Sequence, residues 1–176
     1  YAEAIEAFSR SAAVGRRERN AAVEVSALAG QAQSLEALDR LDEAQRVLNE
    51  ARARLAAGGV PANSPAEHNL AIVQAVISKS AGRLNDAETE LKRAQERLDA
   101  LGLKIGTNAS LRVVRSEIAV EQGRLQDAQG LALDAVERAR AARGDLPSSL
   151  VSGQALLALA TVQWKLGRIA EAHQSC

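Results

Sequence analysis

Apolar residues recur along this chain at steps of three and four, separated by short polar breaks. Leu41, Ala44, Leu48, Ala51 and Leu55 form one stripe; Leu84, Ala87, Leu91, Ala94, Leu98 and Leu101 form another; Tyr1, Ala4, Ile5 and Phe8 open the chain in the same way. Steps of this size place side chains on one face of an α-helix, whereas a half-buried strand alternates every second residue. Further stripes, Leu28, Ala32 and Leu35, then Leu156, Leu159 and Ala160, mark helices that precede the breaks. The pattern predicts nine helices, over about 1–14, 20–37, 41–57, 65–81, 84–101, 108–122, 125–142, 148–166 and 169 to the last residue.

The breaks repeat as well. Asp39-Arg40-Leu41-Asp42-Glu43-Ala44, Gly82-Arg83-Leu84-Asn85-Asp86-Ala87, Gly123-Arg124-Leu125-Gln126-Asp127-Ala128 and Gly167-Arg168-Ile169-Ala170-Glu171-Ala172 follow one plan, and Tyr1-Ala2-Glu3-Ala4 matches its second half. The shared alanines Ala4, Ala44, Ala87, Ala128 and Ala172 lie 40, 43, 41 and 44 residues apart. In each copy a Gly or Asp makes a tight turn and an apolar residue opens a helix. An acidic residue in the first turn then opposes the positive end of the helix dipole. Ser64-Pro65-Ala66-Glu67 reads as a helix start, with Ser64 as cap and Glu67 closing a capping box. Gly58-Gly59, Gly102 and Gly144 fall where helices should stop.

One helix pair buries too little to stand alone, so a repeat of this size predicts stacked pairs sharing a continuous core. The expected fold is all-α: an α-solenoid, a right-handed superhelix of antiparallel helix pairs. It should run as one array over 1–176, in units of roughly 1–19, 20–62, 63–106, 107–145 and 146–176.

Tyr1, Ala4 and Phe8 resemble the signature of the second helix of a tetratricopeptide repeat, as do Leu41, Ala44 and Leu48, and Leu84, Ala87 and Leu91. The small residue that this family places midway along first helices is met by Ala32, Ala75, Ser116 and Ala160. The resemblance spans essentially the whole chain. It departs from the family in repeat length, since the usual repeat is about 34 residues, and in lacking the Trp near the start of first helices. Long, Ala-rich copies are similar to those of kinesin light chains and of bacterial signalling proteins.

The resemblance implies that first helices line a concave inner wall. That wall would carry Ala29, Gln33 and Glu36, then Asn69, Ile72, Val76 and Lys79, then Ser110, Val113, Glu117 and Glu121, and finally Gln154, Leu157, Thr161 and Lys165. Family members that clamp acidic chaperone tails use a Lys and an Asn one helical turn apart. The matching positions here are Ala29 with Gln33, Ile72 with Val76, Val113 with Glu117 and Leu157 with Thr161, so that clamp is missing. A wall mixing apolar and acidic groups suits an amphipathic helix or an extended segment with apolar anchors. The same apolar residues equally suit packing against the next repeat. Trp164, the lone indole, is expected to fill space beside the fifth turn. Its other role is as an anchor for a partner on the same face.

Composition narrows the function further. Nearly half the residues are apolar, mostly Ala and Leu, and 22 basic residues balance 22 acidic ones. A nucleic-acid binder needs a basic excess or stripe to neutralise phosphates. Arg16, Arg17 and Arg19 read instead as a solvated turn between helices. No apolar run approaches the roughly 20 residues that span a bilayer, so no membrane insertion is expected. The single Cys176 forms no internal disulfide, which fits a reducing, cytoplasmic setting. The chain begins at Tyr1 and holds no Met, as a piece of a longer protein would.

Catalysis needs a nucleophile or an acid–base pair held in a cleft. His68 and His173 are too few for a His-rich metal site, lack Cys partners and are expected at exposed helix starts. Glu43, Asp86, Asp127 and Glu171 recur with the repeat, which gives them a capping or dipole role. Gly58-Gly59 lacks the Lys of a phosphate loop. No enzyme activity, cofactor or metal is expected. The expected function is a scaffold that binds a protein or peptide on its concave face, within a larger bacterial signalling protein. The alternative is a ligand- or peptide-sensing module controlling an attached kinase or transcription-regulator domain. At the first end, the Tyr1, Ile5 and Phe8 face is expected to lie open and to support self-association.

Overall fold

A computed structural model describes residues 1–61, 64–100, 107–143 and 149–175. Among them the regular elements are nine helices: α1 (Ala2–Arg17), α2 (Ala21–Glu36), α3 (Leu41–Ala56), α4 (Pro65–Ser80), α5 (Leu84–Ala100), α6 (Thr107–Glu121), α7 (Leu125–Arg143), α8 (Leu150–Lys165) and α9 (Ile169–Ser175). They match the periodicity closely. The largest departure is α1, which continues through Gly15 to Arg17. Gly15 is a contact residue and not a stop, because a Cβ there would lie 2.7 Å from the backbone nitrogen of Glu24.

The repeated break is one backbone device used five times. Arg19, Asp39, Gly82, Gly123 and Gly167 all take a positive φ, between 54° and 77°. Each closes its helix with the paired hydrogen bonds of a Schellman motif. In the five turns the longer bond runs from Asn20 to Gly15, Arg40 to Leu35, Arg83 to Ser78, Arg124 to Ala119 and Arg168 to Gln163, at 2.8–3.0 Å. The carbonyl of that same arginine then accepts from the repeating alanine, Ala44, Ala87, Ala128 or Ala172, and so starts the next helix. The arginine side chain meets the acid three residues on, in Arg40–Glu43, Arg83–Asp86, Arg124–Asp127 and Arg168–Glu171, at 2.7, 3.7, 3.2 and 3.9 Å. The repeated acids therefore pair with the turn arginine in addition to facing the helix dipole.

Other ends follow local chemistry. Ser64 Oγ accepts from the Glu67 N–H and Pro65 sits in the first turn, while the Ser64 N–H donates to Pro61. Gly58 and Gly59, at positive φ, follow α3. Gly102, Gly144 and Leu101 lie outside the described residues, as does the side chain of Leu98.

Contacts divide the chain into two compact units, Tyr1–Arg97 and Leu98–Cys176. In the first, α1 packs on α2, α2 on α3, α3 on α4, and α2 also on α4. In the second, α6 packs on α7, α7 on α8, α8 on α9, and α6 on α8. Helices joined by tight turns thus fold back on each other, and alternate helices stack side by side. Small residues make the approach close: Ala32, Ala75 and Ser116 are fully buried, and Ala160 nearly so. Ser116 Oγ donates to the Ala128 carbonyl of the facing helix at 2.9 Å. Ala44, Ala87 and Ala128 are fully buried as well.

At the first end, Tyr1 is 72% exposed. Ile5 and Phe8 are not left open as expected: both are half-buried. Ile5 packs on the first core cluster, and the Phe8 ring lies so close to Gly30 that a Cβ there would come within 2.6 Å of it. The packing of α1 on α2 covers them.

Candidate functional site

Counting back from each positive-φ turn residue brings equivalent first-helix positions into columns. Ten residues back stand Ala29, Ile72, Val113 and Leu157; three back stand Glu36, Lys79, Val120 and Trp164. All of these except Val120 belong to the face that the sequence resemblance suggested. The structure separates their members by burial. Ala29, Ile72 and Val113 are buried, so these three belong to shared core and not to an open surface. Ala29 sits in one cluster with Leu70, Val73 and Ile77 of α4, and Val113 in another with Ala155, Ala158 and Val162 of α8. In both cases the following first helix covers the position. Leu157 is 64% exposed.

The remaining wall residues lie between these extremes. Gln33, Glu121, Gln154, Thr161 and Lys165 are exposed, whereas Glu36, Asn69, Val76, Lys79, Ser110 and Glu117 are half-buried. Glu36 accepts a hydrogen bond from Ser80 Oγ, which ties the end of α2 to the end of α4.

Leu157, Thr161 and Trp164 come together on α8. With Ala160, Ile169, Ala172 and His173 they line a groove of about 280 Å³ between α8 and α9. Trp164 does not fill space beside the turn, as expected, but is 59% exposed. The Lys165 ammonium lies 5.1 Å from its ring centroid. Ile169 is 48% exposed, although it stands where Leu41, Leu84 and Leu125 are half-buried. Periodicity marked Ile169 as a helix opener and gave no sign that it borders a groove.

The histidines part company. His173 is exposed on the groove edge. His68 is buried, contrary to expectation; its counterparts fourteen residues before the other first-helix turns are Val25 and Ala109, both fully buried, and Gly153, which is exposed. Among the described residues no group of three or more His, Cys, Asp or Glu is placed to hold a metal ion. None of the described helices is long and apolar enough to cross a membrane. In the groove the Thr161 hydroxyl donates to the Leu157 carbonyl at 2.9 Å, a backbone bond and not a nucleophile–base pair.

A second, polar cleft of about 330 Å³ lies among α3, α4 and α5, lined by Arg52, Gln74, Ser78, Arg83, Asp86, Thr89, Glu90 and Arg93. Its charges largely answer one another: Arg52 and Arg93 flank Glu90 at 3.7 and 3.8 Å, and Arg83 stands 3.7 Å from Asp86.

The strongest electrostatics are structural. Glu24, 4% exposed, accepts from Arg16 Nε at 2.9 Å and from Arg54 Nε at 2.7 Å. The hydrogen bond from Arg16, and that from Arg54, hold its carboxyl below the usual value against the upward pull of burial. In the second unit Asp134 accepts from Arg112 at 2.6 Å and Arg138 at 2.7 Å. Burial raises this carboxyl, and the hydrogen bonds from Arg138 and Arg112 outweigh it, so the net shift is downward. Neither clamp was visible in the repeat pattern, because its members come from three helices or from non-periodic positions. The Arg16–Arg17–Arg19 cluster is an exposed turn, with Arg16 drawn to Glu24 and Glu50 and Arg17 to Glu18.

With that geometry in hand, one solved structure is informative. The crystal structure of BtubC (BKLC) from P. vanneervenii superposes with a TM-score of 0.73 over 98% of this chain and 70% of that one, at 17% identity. The shared fold is all-helical and of the helical-repeat kind. No family model matches the chain, and no curated protein matches it.

Proposed function

We propose that this chain is a protein-interaction module that holds a protein or peptide segment against its first helices, as a scaffold within a larger bacterial signalling protein. The observation that carries the reading is the exposed row Leu157, Thr161, Trp164 and Lys165 on α8, set beside an apolar groove. Isolated exposed apolar residues are ordinary, but a cluster containing Trp is the composition of binding hot spots. The groove lies near the lower end of the roughly 300–1,000 Å³ typical of ligand pockets. It accepts a few side chains of a larger partner and would not enclose a whole drug-sized ligand. The helical-repeat fold supports the same reading, because stacked pairs present extended faces.

Selection of a random peptide library on the immobilised chain tests the proposal. Enriched peptides should bind the unaltered protein and lose about tenfold or more in affinity, some 1.4 kcal/mol, on Leu157→Asp or on Glu117→Lys with Glu121→Lys. A selection that enriches nothing, or peptides indifferent to every first-helix substitution, would overturn it.

A further inference from the structure

The polar cleft among α3, α4 and α5 has a buried polar floor. Gln74 and Ser78 of α4 line it and are 7% and 3% exposed. Ser78 stands four residues before its turn, where α2 and α6 bury Leu35 and Ala119 and α8 buries Gln163. Gln163 has a partner, since it accepts from Ser175 Oγ at 2.8 Å. Gln74 is held as well: it exchanges hydrogen bonds with Gln45 at 3.2 and 3.3 Å, and Gln45 donates in turn to Asn49. Ser78 is the exception. Ser9, Ser34, Thr89 and Thr161 each donate to the carbonyl four residues back. Ser78 instead accepts from the Gln74 amide at 3.1 Å, and among the described residues its own proton has no acceptor. A buried hydroxyl normally spends that proton.

The same cleft is rich in unspent donors. Arg52 and Arg93 stand 3.7 and 3.8 Å from Glu90, and Arg83 stands 3.7 Å from Asp86. Those separations give an ion pair but exceed hydrogen-bond length. By contrast, the guanidiniums that clamp Glu24 and Asp134 close to 2.6–2.9 Å. A loose pair also occurs away from the cleft, Arg168 with Glu171 at 3.9 Å. Here three loosely paired guanidiniums share one cleft with an unspent buried hydroxyl. Three basic and two acidic side chains leave one positive charge in excess, in a chain that is neutral as a whole.

We propose that this cleft binds the oxyanion of a small acidic molecule, a carboxylate or phosphate group. Such a group accepts from the Ser78 hydroxyl and from the planar donor forks of the arginines. One negative charge offsets the excess, so Glu90 and Asp86 stay in place beside the guanidiniums. At about 330 Å³ the cleft falls within the size range of small-molecule pockets. A bound anion would join α3 to α4 and α5, and so stabilise the contact between successive helix pairs. None of the lining residues belongs to the first-helix face proposed for a peptide, so the two readings stand or fall separately.

The test is calorimetric titration of the 176-residue protein with sodium phosphate, sodium succinate and sodium chloride at low, matched ionic strength. Phosphate or succinate should bind saturably and raise the melting midpoint, and chloride should do neither. Whichever binds more tightly identifies the preferred oxyanion. Ser78→Ala places in α4 the residue that α6 already buries as Ala119, so the fold should be kept. Its affinity for the anion should fall about tenfold, as loss of a hydrogen bond to a charged group implies. Arg52→Gln with Arg93→Gln should weaken binding at least as much. Arg46→Gln, on α3 but outside the cleft, should leave it unchanged. Three results would overturn the proposal. The first is no saturable binding of phosphate or succinate. The second is an equal loss on Arg46→Gln, which would reduce the effect to general charge screening. The third is full affinity in Ser78→Ala and in the Arg52, Arg93 variant, which would put the anion elsewhere.

Discussion

The α1–α3 corner of the first unit and the α6–α7 corner of the second use the same two devices with different severity. Each clamps one carboxylate between two arginines, and each brings two helices close through a small residue. Glu24 is nearly sealed from water, whereas the Asp134 side chain keeps about a third of its surface exposed. Gly15 lets α1 rest on the backbone of Glu24, while Ser116 meets the Ala128 carbonyl through a hydroxyl. The difference shows that a repeat fixes where helices meet, and local burial fixes what each meeting costs to disturb. A charge in the sealed corner depends on its partners, and one at the open corner falls back on solvent.

The largest effect should come from stripping the sealed clamp. Arg16→Leu with Arg54→Leu leaves the Glu24 carboxylate buried and unpaired, which should cost about 3–5 kcal/mol. Adding Glu24→Leu should recover most of that loss, because the stranded charge is then gone. Arg112→Leu with Arg138→Leu should cost only about 1 kcal/mol, since the partly exposed Asp134 can be hydrated. Urea melts of the four proteins decide the matter. Equal losses at the two corners would show that burial does not set the difference.

Next comes the steric half of the comparison. Gly15→Ala drives a methyl to within 2.7 Å of backbone and must move α1 away from α2. The expected cost is about 1–3 kcal/mol, although alanine is the better helix former. Ser116→Ala removes one hydrogen bond in a site that already tolerates alanine in other repeats, and should cost about 0.5–1.5 kcal/mol. Thermal melts that rank Ser116→Ala as the more damaging would reverse this view of the two contacts.

Most of the fold was legible because its signals are local. The turn residue, the arginine after it and the alanine that starts each second helix lie within six positions, so each copy announces itself. Helix ends followed from the same signals. The site was legible only in part, because cover is not local. Ile72, Val113 and Leu157 occupy one column, yet two are buried and one is open. The deciding factor for Val113 is a helix some forty residues further on, which no window around the residue contains. His68 and Trp164 were misread by residue type: a polar ring was expected outside and an indole inside, and the structure reverses both. The Glu24 clamp draws on α1, α2 and α3, at spacings outside the repeat.

The smallest and most diagnostic difference is in acid. Both carboxyls lie below their ordinary values in the folded chain, Glu24 from 4.5 and Asp134 from 3.8. A carboxyl with a lowered folded value stabilises the native state fully above its unfolded value. That contribution is lost as pH falls through the folded value, because the unfolded chain takes up the proton first. Stability therefore rises with pH across this window and levels off above it. Glu24→Gln deletes the titration and keeps the shape, so the gap between the unaltered chain and this variant should be constant from about pH 6 to 8. It should begin to close below about pH 4.5. For Asp134→Asn the closing should begin lower, below about pH 3.8, and the gap itself should be smaller, because solvent already screens that site. Urea midpoints at half-unit steps of pH would follow both gaps. A Glu24 gap that stays flat into acid, or widens there, would mean that the arginines do not hold this carboxylate charged in the folded chain. The contrast between sealed and open corners would then rest on packing alone.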